Sequence, residues 1–372
     1  MLKIEKLKPF LQEAWQVAGY SQPTAIQNEV AESIEQGVDI IAESATGTGK
    51  TLAYLIPLLN KIDTSNDQLQ VVILAPSREL VMQIVQVAQD WGQPGGVKAT
   101  SLIGGVPIKR QVERLKKRPQ LIAGTPGRVL ELVSMKKLKM HHVKTMVLDE
   151  GDQLLSGEHL SSVKNIVKST MKDRQLLLFS ATIKAETESL AQELMKQPNI
   201  VKVESGLNQD VTHCYFECDK RDRIKLLEKL AKNNDFQGLV FVNDIGNLAV
   251  LAEKLAFKDV RLGVIHSDAK KGDRQAVLKA FQQGDLSLLL ATDLAARGLD
   301  IVGLQAVVHY DVCHDSTTYT HRSGRTGRAG AEGTVISFVA PSELRDLRKI
   351  ANKLAITLEQ VTLYKGKITK TN

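Results

Sequence analysis

Asp149, Glu150 and Asp152 fall within four residues in 147-VLDEGDQLL-155, directly after the apolar run 145-TMVL-148. Carboxylates at the end of a strand-like run can hold a divalent cation and position a proton acceptor, although the same letters alone also describe a polar turn. A second stretch decides between them. In 44-SATGTGKT-51, preceded by 38-VDIIA-42 and followed by the helix-like 52-LAYLIPLLNKI-62, strand, glycine loop and helix occur in the order of a phosphate-binding loop. Gly47 and Gly49 allow the backbone of the loop, from Ser44, Ala45 and Thr46 through Thr48, to turn its N–H groups toward phosphate oxygens. Lys50 is expected to reach the β and γ phosphates, and the Thr51 hydroxyl to hold Mg²⁺. The strict pattern asks for glycine where Ser44 stands. With the loop present, Asp149 is assigned to Mg²⁺ through water, and Glu150 to orienting and deprotonating the attacking water.

These groups need buried strands to carry them. Apolar runs at 38–42, 71–75, 120–124, 145–149 and 176–181, and again at 238–242, 261–265, 286–292, 305–310 and 334–339, alternate with helix-length amphipathic segments. That alternation predicts parallel sheets flanked by helices. At 372 residues, two such series imply two tandem α/β domains. We expect an N-terminal domain over 1–204, a linker at 205–212 where Gly, Asn and Asp cluster, and a C-terminal domain over 213–372. A helix is predicted at 341–354, followed by a short lysine-bearing tail.

Composition narrows the class. A hydrophobic content of 43% with 24% charged residues describes a globular protein rather than a disordered one. No run approaches ~18 consecutive apolar residues and 1-MLKIEKLKPF-10 lacks the apolar core of a signal peptide, so a cytoplasmic protein without membrane contact is expected. Cys214, Cys218 and Cys313 form no C-x-x-C pair, which argues against a disulfide framework or zinc site. The formal charge of +7 is spread, with 25 basic and 23 acidic side chains over residues 1–210 and 24 and 19 over 211–372. Nucleic-acid binding would therefore rest on particular placed residues.

The ordered series from residue 10 to about 340 resembles the DEAD-box family of ATP-dependent RNA helicases in superfamily 2. The resemblance implies two RecA-like domains and reads 19-GYSQPTAIQ-27 as an adenine-recognition motif, with Gln27 on adenine N6/N7, Phe10 as its aromatic companion and Tyr20 packed on the base. It assigns Pro76 and Arg78 of 76-PSREL-80, Gly104, Gly105, and Thr125 and Arg128 of 125-TPGR-128 to the RNA backbone. Asp152 is expected to hydrogen-bond Ser180 and Thr182 of 180-SAT-182, tying nucleotide state to domain closure. Gly151 replaces the family's alanine, which predicts a looser coupling there. In the second domain, 239-LVFVN-243 matches the family's opening strand. Within 266-HSDAKKGDR-274, Ser267 and Lys271 depart from the usual glycine and glutamine, while Arg274 is kept for an RNA phosphate. In 291-ATDLAARGLDI-301, Thr292, Arg297 and Gly298 are expected on RNA and Asp300 on the ribose of ATP. In 319-YTHRSGRTGRAG-330, Arg325 and Arg328 resemble arginine fingers, with His321 and Arg322 linking the γ phosphate to the RNA site. Cys313 stands where proline is usual after Y-D-V.

The resemblance thus implies an RNA-dependent ATPase that uses ATP and Mg²⁺, hydrolyses once its domains close, and separates short duplexes without reading sequence. Single-stranded or short duplex RNA is the expected partner, ribosomal RNA the guess among cellular targets, and a monomer the default. A DNA-directed superfamily-2 translocase and an ATP-switched RNA clamp with little turnover are the alternatives.

Overall fold

A computed structural model describes the chain except residues 46, 204–210, 234–235, 266–270, 297–303, 328–330, 365 and 372, and except the side chains at 271–273, 275 and 294. The chain divides into two compact units, Met1–Glu204 and Ser205–Asn372.

In the first unit the strands are β1 (Ile40–Glu43), β2 (Val71–Leu74), β3 (Ala99–Leu102), β4 (Leu121–Gly124), β5 (Thr145–Asp149), β6 (Gln175–Ser180) and β7 (Asn199–Lys202). They form one parallel sheet in the order β3-β4-β2-β5-β6-β1-β7. The central strands are buried along their whole length, which explains their unbroken Val, Ile and Leu content. Alternate side chains feed two cores: Ile40, Ile73, Val147 and Leu177 pack on one face, and Ile41, Val72, Leu148 and Leu178 on the other.

The second unit contains β8 (Val211–Glu217), β9 (Gly238–Phe241), β10 (Leu262–Ile265), β11 (Leu288–Ala291), β12 (Ala306–His309), β13 (Gly333–Val339), β14 (Glu359–Tyr364) and β15 (Lys367–Lys370). Their order is β10-β11-β9-β12-β13-β8-β14-β15, parallel except for the β14–β15 pair. Both units are RecA-like α/β folds, helices covering both faces of a sheet whose loops meet at the carboxyl ends of the strands.

Each of the ten apolar runs corresponds to a strand. The strands that sequence reading omitted are short or mixed in polarity: β3 is ATSL, β7 is NIVK with only Val201 buried, and β8 contains His213. β8 opens at Val211, inside the segment expected as linker. The chain after the helix Leu344–Lys353 is not a plain tail. It folds back as a β14–β15 hairpin, turning at Gly366 with φ 77° and attached through β14 to β8. With Val361 the one buried residue of these two strands, and Thr362, Lys367 and Lys370 exposed, the hairpin lacks the apolar density that marks the buried strands.

Candidate nucleotide and RNA site

The phosphate loop joins β1 to the helix Lys50–Lys61. Gly47 and Gly49 have φ 85° and 88°, the left-handed region where a side chain is strained. A Cβ at Gly49 would also lie 2.7 Å from Gln27 Nε2, so an added side chain would displace that amide. Ser44 stands in place of glycine without disturbing the loop: it is buried, its hydroxyl lies 2.7 Å from Thr48 Oγ1, and Thr48 donates onward to the Ala45 carbonyl at 2.8 Å. The Lys50 ammonium donates to the carbonyls of Ser44 (2.5 Å) and Ala45 (2.8 Å), which places it over the loop mouth.

Asp149 ends β5, two strands from β1 in the sheet. Its carboxylate is buried, accepting from the Tyr54 hydroxyl at 2.8 Å and the Glu150 backbone N–H at 3.0 Å. Burial pushes the Asp149 carboxyl up, opposed by the Tyr54 hydrogen bond and the Lys50 charge. A divalent cation would supply the compensation that burial removes, and the oxygen donors of Asp149 and Thr51 suit Mg²⁺. Glu150 has φ 55° and ψ 53°, uncommon for a residue with a side chain, and accepts from Gln153 Nε2 at 2.9 Å. Ser180 Oγ lies 2.7 Å from Asp152 Oδ1 and 2.9 Å from the Thr182 carbonyl.

The looser junction expected at Gly151 is not what the structure holds. A Cβ at Gly151 would lie 2.5 Å from Leu178 Cγ, so glycine seats the short helix Gly151–Leu154 directly on β6 and keeps Asp152 against Ser180. The adenine motif also needs correction. Gln27 lies beside the phosphate loop, its Oε1 accepting from Thr24 N–H at 2.9 Å and its Nε2 reaching the Gly49 carbonyl at 3.4 Å. Phe10 instead lies against Gly95, and Tyr20 stacks on Trp91 with ring centroids 6.4 Å apart. Trp91 closes the helix Arg78–Gly92, which leaves the carboxyl end of β2 and runs about 20 Å back along the sheet, and Gly95 belongs to the turn that follows it.

Three further loops meet at the same strand edge. Pro76 follows β2, and Ser77, where the family has threonine, caps the next helix by accepting from Leu80 N–H at 3.2 Å. Arg78 lies against the glycine pair; a Cβ at Gly105, φ 78°, would come within 2.7 Å of its Nη1. Arg128, from the helix that Thr125 caps, donates to the Val106 carbonyl at 2.7 Å. Gly104 and Gly105 are therefore braced between two guanidinium groups.

In the second unit Arg322 is fully buried beneath the loops and committed to the protein. It forks onto Asp293 (2.6 Å to each oxygen), donates to Asn243 Oδ1 (2.6 Å) and the Asp311 carbonyl (3.1 Å), and lies 5.2 Å from the Phe241 ring centre. Arg322 thus orders this site rather than extending toward a γ phosphate. Together with His321 and Arg325 it lines a cleft of about 110 Å³. Arg274 donates to the Ala295 carbonyl at 2.5 Å, and Thr292, buried, starts the helix Asp293–Ala296. Cys313 replaces proline in a buried position 3.7 Å from His309 Nδ1; burial pushes its thiol up to about 12. Thr46, Ser267, Arg297, Gly298, Asp300, Arg328 and the side chain of Lys271 lie outside the described residues.

Sequence reading assigned no role to Tyr54, Asn243 or Asp293. Tyr54 could have been found, since it lies three and four residues after Thr51 and Lys50 and so on their face of the helix. Asp293 sits inside a quoted motif. Only Arg322's burial explains why a carboxylate is needed there.

Residues 24–190 match the DEAD/DEAH box helicase family, and residues 222–330 the helicase conserved C-terminal domain. The chain is similar to the probable ATP-dependent RNA helicase YfmL of Bacillus subtilis, 53% identical over 367 residues that span 98% of this chain and 97% of that protein. It is 46% identical to the DEAD-box ATP-dependent RNA helicase CshC of Bacillus cereus, over 99% of this chain and 95% of that one. Among solved structures it resembles S. cerevisiae Dbp5 bound to RNA and ADP BeF3, with a TM-score of 0.87, 28% identity, and coverage of 96% and 94%. From the phosphate loop and D-E-G-D carboxylates to the arginine-rich segment of the second unit, the chain belongs to the DEAD-box helicase family.

Proposed function

We infer that the chain is an RNA-dependent ATPase and ATP-dependent RNA helicase. The observation that carries this reading is a single strand edge holding Lys50, Asp149 and Glu150 beside the Arg78, Gly104–Gly105 and Arg128 loops. A phosphate chemistry and a backbone-binding surface share one sheet, so occupancy of one bears on the other.

In this reading Lys50 and the loop N–H groups hold the phosphates, and Glu150 orients the attacking water and accepts its proton. Thr51 and Asp149 would hold Mg²⁺, which neutralises phosphate charge and fixes the geometry of the nucleotide. Gln27 keeps one N–H and one lone pair for adenine after its two internal contacts. Pro76, Arg78, Gly104, Gly105, Thr125, Arg128, Arg274, Thr292, Arg297 and Gly298 bind RNA phosphate and sugar, and discrimination from DNA falls to 2′-hydroxyls. Asp300 contacts the ribose, while Arg325 and Arg328 act as arginine fingers. The proposal extends to a cytoplasmic monomer acting on ribosomal RNA precursors, which recovery of those precursors with the tagged protein at low salt would test.

The direct test is Mg²⁺-dependent phosphate release from ATP with single-stranded RNA, matched DNA or neither, in wild type and Glu150→Gln. Stimulation by RNA alone and its loss in the variant are expected. Stimulation by DNA would favour a translocase, and ATP-dependent RNA binding without turnover a clamp. Arg325→Ala should lower turnover about 10³-fold or more while leaving ATP binding intact.

A further inference from the structure

The first unit carries a strongly basic face that the ATP and RNA site does not use. Apart from Arg128 of the RNA site and its partner Glu131, residues 109–139 contain nine basic side chains against one carboxylate, whereas residues 1–108 and 140–210 together contain fifteen against twenty-one. The excess is confined to this segment.

The fold concentrates it at the opposite edge of the sheet from the phosphate loop. Two grooves, of about 610 and 570 Å³, meet at Pro119. Arg114 and Lys117 line one; Lys116, Arg118, Lys137 and Lys139 line the other. Pro119 precedes β4, and Leu69, on the second groove, precedes β2, so both grooves open at the amino ends of strands whose carboxyl ends hold the RNA loops. Strands of four residues put roughly 13 Å between the two edges.

Local structure fixes the lysines outward. Leu138 and Met140 are buried in the core while Lys137 and Lys139 are exposed, so the extended segment cannot turn them inward. The nearby carboxylates are already engaged: Asp67 with Lys98 (3.6 Å) and Arg118 (3.2 Å), Glu113 with Lys116 (2.7 Å). Among the described residues Lys117, Lys136, Lys137 and Lys139 have no carboxylate within ion-pair distance. Helix carboxyl ends attract cations, but their partial charges, about half a unit each, are small against this excess. Arg118 and Lys136 also have φ 52° and 56°, where glycine or asparagine is favoured after a helix, so basic side chains persist against backbone preference.

We propose that these grooves are a second RNA-binding surface, which holds the phosphate backbone of a structured RNA outside the strand engaged at the ATP-coupled loops. The proposal rests on the helicase reading. A phosphodiester chain fits because spaced cationic side chains line both open grooves, and Met82 is the exposed large hydrophobic among their lining residues.

The test compares the full chain with Lys117→Gln/Lys137→Gln/Lys139→Gln, and with Lys229→Gln/Lys254→Gln as a charge control in the second unit. Fluorescence anisotropy over a salt series is read with a ten-nucleotide single strand and with the same strand attached to a twenty-base-pair hairpin. The triple variant should bind the hairpin RNA about tenfold more weakly, with a salt slope smaller by about 2 to 3, and bind the short strand as wild type does. Lys136→Gly should weaken hairpin binding while raising the melting temperature, which separates lost charge from lost folding. Equal hairpin affinity and slope in wild type and triple variant would overturn the proposal. So would loss of polyglutamate binding in that variant with hairpin binding unchanged, which would mark a protein-binding face. Wild-type ATPase unstimulated by the short strand would instead refute the helicase reading, a separate outcome.

Discussion

Gly151→Ala restores the residue usual in the family, and the structure predicts that it harms this protein. The backbone at Gly151 lies outside the left-handed region, so space alone opposes a side chain. The new Cβ would meet Leu178 Cγ at 2.5 Å and both Cδ atoms at 2.8 Å, where ordinary contact begins at 3.4 Å. Leu178 is fully buried in β6, between β5 and β1, and the nearest atom is its branch point, which no methyl rotation removes. Overpacking of this kind costs about 1–3 kcal/mol, here toward the upper end. Helix propensity returns up to about 1 kcal/mol and the buried methyl about 0.8 kcal/mol. The net expectation is a loss of about 1–2 kcal/mol. Leu178→Ala alone should cost about 2–5 kcal/mol, but it opens the space that the added methyl needs. The double variant should therefore be more stable than the sum of the singles by about 2 kcal/mol. Urea unfolding followed by tryptophan fluorescence isolates the effect, because the chain's two tryptophans, Trp15 and Trp91, both lie in the first unit. A neutral Gly151→Ala, or additivity within about 0.5 kcal/mol, would refute the reasoning.

Arg322→Lys keeps the charge but loses the fork onto Asp293; at about 1.5–3 kcal/mol for each charge-assisted bond and one bond recovered, the net cost is about 3 kcal/mol. Calorimetry should show the second unit's transition falling by roughly 10 °C with the first unchanged. Tyr54→Phe removes the hydroxyl that donates to buried Asp149 and should cost about 2 kcal/mol in the tryptophan-monitored transition. His213 is buried with its Nδ1 2.9 Å from the Tyr319 hydroxyl, and burial lowers its pKa to about 4. The unfolded chain then binds a proton that the native state refuses, so stability present above pH 6.5 is lost as pH falls toward 4, by about 3 kcal/mol. His213→Gln should lessen the slope of the second unit's unfolding free energy over that window, the remainder belonging to buried His309, whose pKa burial also lowers.

Much of the fold was legible because both units are parallel sheets. A strand covered on both faces must be apolar throughout, and ten such runs stood out against amphipathic helices. β3, β7 and the β14–β15 hairpin escaped because strands at or near a sheet edge need no such composition. The phosphate loop was legible for a related reason: a backbone that must approach phosphate closely demands glycines at fixed positions, followed by Lys50 and Thr51. Ser44 shows the limit of such patterns. Its hydroxyl is absorbed by Thr48, which no pattern at position 44 anticipates.

By itself the sequence determined the chemistry: a phosphate loop, carboxylates after β5, and arginine-rich segments, ordered along two α/β series. These are local signals, set by residues within a turn or two of one another. Only the tertiary structure decided how Gly151 acts, because Leu178 arrives on a different strand. It alone assigned Arg322 to Asp293 and Asn243, set Phe10 against Gly95 and Tyr20 against Trp91, and gathered basic side chains from separate segments onto one edge. Those outcomes depend on contacts between residues far apart in the chain, where the identity of one partner says little until packing supplies the other.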